Sequence, residues 1–147
     1  MKRIALAAVA LCLLCTPAFA GLDDFLGSLN VQARADLGGF TARVSAQFGI
    51  PEMQVRTVID TVREPADAFM VYQLGQMTRK PPETVVEVYR ANRGKGWGVI
   101  AKRLGIKPGS AEFHALKRGD FALSGTPSGG PDDGRGHGKG RGKGHNK

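Results

Sequence analysis

Cysteine is scarce in this sequence, and its placement excludes more than its number does. The two cysteines, Cys12 and Cys15, both lie within the first twenty residues. The rest of the chain has none, so no disulfide can staple it and no thiol can act as nucleophile or metal ligand. Its stability must come from a hydrophobic core. Strand patterning is lacking too: no stretch alternates apolar and polar residues long enough to suggest a strand. Catalytic patterns are equally missing. There is no Ser-His-Asp, Cys-His, H-E-x-x-H or paired-acid arrangement, so an enzyme is not expected. The three histidines make no metal site, because His114 stands alone and His137 and His145 lie eight apart among glycines, whereas structural zinc takes about four ligands. No cofactor is expected.

The one long apolar run covers residues 4–15, too short for a bilayer span of about 20 residues. Lys2 and Arg3 precede it, and Ala18-Phe19-Ala20 follows as an A-x-A cleavage site. Residues 1–20 therefore read as a signal peptide, and the mature chain is expected to be exported, periplasmic or secreted, after cleavage following Ala20. An uncleaved anchor or a lipoprotein fits less well, since the run is short and no small residue precedes Cys15. After cleavage no transmembrane segment is expected.

Charge is unevenly spread over the mature chain. Residues 21–78 hold four Arg against seven Asp/Glu, residues 79–123 ten Lys/Arg against four acids, and residues 124–147 five against two. The basic surplus lies in the C-terminal half and predicts a surface that attracts anions.

Residues 21–123 read as a helical domain, all-α, a small bundle of about five or six short helices broken by Gly and Pro. Leu22, Phe25, Leu26 and Leu29 fall at helical spacing, as do Leu37, Phe40, Val44 and Phe48, with Gly49 as a C-cap. Pro51 suits a helix start, and Val55, Val58, Ile59 and Val62 make the stripe behind it. Pro65 opens the next helix, whose inner face is Ala66, Phe69, Met70, Gln73, Leu74 and Met77. After the break at Pro81-Pro82 a helix is predicted over 83–92, with its acids first and Arg90 last, complementing the helix dipole. Asp60 and Glu64, and Glu83 and Glu87, are expected to be four-apart pairs on single helices with basic neighbours, ordinary surface pairing.

The stretch "GKGWGVIAKRLGIKPGS" carries the most pattern. Trp97, Ile100, Ala101 and Leu104 define a short helix closed by Gly105. Ser110 caps a last helix over 111–118, with Phe113 and Leu116 inward. Together they resemble a helix-turn-helix, but the link through Lys107-Pro108-Gly109-Ser110 is long for that motif. The second helix also turns Glu112 and His114 outward rather than Arg, Asn or Gln near its start. A packed helical hairpin explains the pattern better than DNA reading, so nucleic acid is not the expected partner. Gly94, Gly96 and Gly98 match neither the dinucleotide fingerprint nor the P-loop. Around them crowd Arg90, Arg93, Lys95, Lys102, Arg103 and Lys107. With Gly96 they form a candidate anion site, which weighs against a merely solvated basic face.

From residue 124 onward the chain has no aliphatic or aromatic residue and is expected to be a disordered Gly/Lys/Arg/His-rich tail. It could bind polyanions, capture copper, nickel or zinc loosely, or merely solubilise.

"YRANRGKGWGVIAKRLGIKPGSAEFHALKRG", with "ADLGGFTARVSAQFGIPEMQV" before it, resembles an uncharacterised family of small exported helical proteins of Gram-negative bacteria. The resemblance spans about residues 29–119, implies export and an all-helical body, and brings no catalytic residue. The reading that results is an exported binding or interaction protein without enzymatic activity, its basic C-terminal half suited to an anionic envelope component or protein. The alternatives are a DNA-binding helix-turn-helix protein and metal handling by the tail.

Overall fold

The computed structural model describes residues 20–125. The signal segment with Cys12 and Cys15, and the tail beyond Gly125 with His137 and His145, lie outside the described residues. Seven helices make up the described body: α1 (Ala20–Ala35), α2 (Leu37–Phe48), α3 (Glu52–Thr61), α4 (Pro65–Thr78), α5 (Pro82–Ala91), α6 (Trp97–Leu104) and α7 (Ala111–Arg118). The domain is all-helical, with no strand among the described residues.

The helix ends follow local chemistry. Asp36 caps α2 by accepting from the Gly39 N–H at 2.8 Å. Ser110 does the same for α7, accepting from Phe113 at 3.1 Å. Gly49, Gly105 and Gly119 close α2, α6 and α7 in the left-handed conformation. Glu64 and Asp67 form a capping box at the start of α4. The N-terminus of α4 gains a second cap from elsewhere in the chain: Asn30 of α1 accepts from the Ala66 N–H at 2.9 Å.

α4 is the axis of the bundle and touches α1, α3, α5 and α6. The single inner face expected for it is corrected. Ala66, Ala68, Phe69, Met70, Val71, Tyr72, Leu74 and Gly75 are all buried, whereas Gln73 and Met77 are half-buried. Asp67 is the sole charged residue in this helix, and a helix apolar all round is buried all round. Phe69 of α4 anchors an aromatic cluster, edge-on to Phe25 of α1 at 5.3 Å and to Phe48 of α2 at 5.5 Å. Phe121, just past α7, completes the cluster at 6.1 Å from Phe25. The chain beyond α7 is held by the Gln47 amide, which donates to the Ala122 carbonyl and accepts from the Ser124 N–H. Leu123 is buried beside this clamp.

Two more expectations are corrected. Leu37 is 46 % exposed rather than inward, because it starts α2 at the edge of the bundle. Asp60 and Glu64 do not share a helix: α3 ends at Thr61, and Glu64 sits before α4, paired with Arg34 of α1 at 2.9 Å. α1 and α7 cross closely enough that a side chain on Gly21 would collide with the Arg118 carbonyl, and one on Gly119 with the carbonyl of Gly21. That contact places the first turn of α1 beside α6 and α7, where the basic residues gather.

Candidate functional site

The turn between α5 and α6 is built on Asp67. Its carboxylate accepts from the Trp97 indole N–H at 3.0 Å and the Tyr89 hydroxyl at 2.9 Å. A third donor is the Glu64 backbone N–H at 3.2 Å. The Tyr89 oxygen in turn accepts from the Arg63 N–H at 3.0 Å. Tyr89 and Trp97 stack at 5.3 Å, and both are buried. Burial foremost raises the Tyr89 pKa, and Asp67 adds to the rise against the Arg63 hydrogen bond. Tyr89 therefore remains a neutral donor to the carboxylate. One α4 side chain thus ties α5 and α6 to the bundle axis, and the expected burial of Trp97 is met.

The chain enters α6 through Gly96, at φ 83° and ψ 158°, a region open essentially to glycine alone. The N–H groups of Trp97 and Gly98 then have no acceptor among the described residues. Beside them lies a hollow of about 400 Å³ lined by Lys95, Gly96, Gly98, Lys102, Trp97 and Asp23 among others. Lys95 and Lys102 make no ion pair among the described residues. Two ammonium groups and two unsatisfied backbone donors at a helix start favour an anion, and Asp23 of α1 is the single opposing charge on the rim.

The seven residues predicted as an anion site do not all converge. Lys95, Gly96 and Lys102 share this hollow. Arg93 lies across the turn in a smaller crevice of about 210 Å³ with Arg63, Asp67, Tyr89 and Gly96. There its guanidinium sits 6.0 Å from the Tyr89 ring centroid and makes a long 3.4 Å bond to the Thr61 carbonyl. Arg90 faces a groove between α3 and α5. Lys107 borders a shallow hollow with Met77, Leu104 and Glu112, and Arg103 is exposed on α6. Sequence reasoning missed Arg63 and Asp67. Both come from the α3–α4 junction, thirty residues or so before the turn, and no local pattern links them to it. The lone charge within an otherwise apolar α4 was the one available signal for Asp67.

Among the described residues no group of His, Cys, Asp and Glu is placed to hold a metal ion. His114 is exposed on α7. No described helix is long and apolar enough to cross a membrane. No protein-family model matches the chain, and neither a curated protein nor a solved structure matches it.

Proposed function

We propose that the mature chain is an exported binding protein without enzymatic activity. Its α6 turn takes an anionic group of an envelope component, such as an acidic polysaccharide or lipid headgroup, or of a protein. The observation that carries this reading is the convergence of Lys95 and Lys102 on one hollow with the two unsatisfied N–H groups of α6. The A-x-A site before Gly21 supports export. So does the contact of Gly21 with α7, since the packed body starts at the residue that cleavage would expose. The Asp67 lock supports binding over catalysis: its carboxylate is committed to three donors, which leaves it poorly placed to move a proton.

Retention on heparin or anionic liposomes at graded salt tests the binding. A variant with Arg90, Arg93, Lys95, Lys102 and Arg103 neutralised should elute at lower salt, and equal retention would sink the proposal. Export is tested by terminal sequencing: recovered protein should begin at Gly21 and be found outside the cytoplasm. The DNA-binding alternative draws no support from α7, whose exposed first turn carries Glu112 and whose Arg118 is paired with Asp120 at 2.6 Å.

A further inference from the structure

The α3–α5 groove, about 320 Å³ in volume, has a chemistry opposite to that of the α6 turn. Its α5 wall presents Glu83, Val86 and Glu87, Val58 faces them from α3, and Arg90 closes one end. Tyr72 of α4 forms the floor. It is 3 % exposed, its ring packs on Phe48 at 5.7 Å, and its hydroxyl faces the groove with no hydrogen-bond partner among the described residues. Glu83 and Glu87 are the single pair of carboxylates four apart on one helix among the described residues, and neither makes an ion pair there. They stand about 6 Å apart along the axis. Like charges so placed repel and favour a cation across them.

The chain itself carries cations at a matching interval. Over residues 134–145 every second residue is glycine, and the others are Arg135, His137, Lys139, Arg141, Lys143 and His145. On an extended backbone side chains two apart share a side, at ~6.6–6.8 Å spacing. Such a segment would line its cations along one edge at nearly the carboxylate interval, with glycine letting the backbone come close. The described body ends at Gly125, packed on Arg43 of α2. The ten residues from there to Arg135 can span up to ~33–36 Å, well beyond the ~13 Å radius of gyration of a domain near this size.

We infer that residues 134–147 dock along the α3–α5 groove. Lys and Arg ammonium and guanidinium groups sit on Glu83 and Glu87, and their stems lie over Val58, Val86 and the Tyr72 ring. Arg90 repels the segment from its end of the groove and centres the contact on the two carboxylates. This docking is independent of the anion site at α6. Tethering raises the effective concentration of the segment to about the millimolar range, so weak individual contacts suffice.

Carbodiimide cross-linking of the mature full-length chain, which joins a carboxylate directly to a lysine amine, tests it when mapped by mass spectrometry. The expected bonds join Lys139 or Lys143 to Glu83 or Glu87 within one chain. They should vanish in the Glu83→Gln/Glu87→Gln variant, whose exposed sites leave the fold intact, and fade in 1 M salt, where the screening length falls to ~3 Å. Equal bonding to Asp23, Asp24 or Asp60 would overturn the inference. So would bonds between an isotopically labelled chain and an unlabelled one, which would assign the groove to a second copy, and so would the absence of any bond to Glu83 or Glu87.

Discussion

Replacing Asp67 with alanine strands two buried donors at once, the Trp97 indole and the Tyr89 hydroxyl. Each buried group left unpaired costs about 1–3 kcal/mol, so Asp67→Ala should destabilise the domain by roughly 2–4 kcal/mol in denaturant unfolding. Asp67→Asn, which keeps one acceptor, should cost less. The single tryptophan reports the same event, and its emission should shift toward that of hydrated indole as the lock opens. Trp97 was legible as a core residue because it follows two turn glycines and starts an apolar stripe. Its partner was not, since the bonds join residues 22 and 30 positions apart, and no periodicity encodes such a distance. Tyr72 makes a second prediction at this scale. Burial, and then the charge of Glu83, pushes its pKa from 10.0 up to about 12. The unfolded chain loses this proton first, so the stability it contributes is complete below pH ~10 and drains away as pH rises toward about 12. Alkaline unfolding followed by circular dichroism should show that decline, and Tyr72→Phe should flatten it.

At the scale of the element, caps were readable and burial was not. Ser110 and Gly119 bound α7 as expected because Ser and Gly act locally, through one hydrogen bond and one left-handed residue. The inner faces of α2 and α4 depended on neighbours, and there the periodicity misled. Leu37 keeps the helical interval yet faces water, and α4 is enclosed on all sides. The Gly21–Gly119 crossing was invisible for the same reason, as it exists once α1 and α7 meet. α4 also ends on Arg79 at φ 54°, the one non-glycine residue with positive φ among those described. Left-handed backbone costs such a residue roughly 1 kcal/mol, which glycine avoids at some loss of chain entropy. Arg79→Gly should therefore raise stability by about 0.5 kcal/mol, seen as a higher unfolding midpoint at unchanged slope.

Over the whole molecule, charge was the most legible property and its arrangement the least. The basic surplus of residues 79–123 reads directly off the sequence. Helix packing then distributes it: two lysines to the α6 hollow, two arginines to the crevice behind it, and Arg90 to a groove dominated by carboxylates. A diffuse basic face and a defined site differ in how they respond to equal changes of charge. The affinity of the mature chain for heparin, measured against salt concentration, separates them. Lys95→Gln/Lys102→Gln should weaken binding and lower the slope of log K against log salt by roughly 1–2, whereas Arg103→Gln/Lys107→Gln, which removes the same charge, should lower both far less. Equal losses from the two pairs would contradict an anion site at the α6 turn.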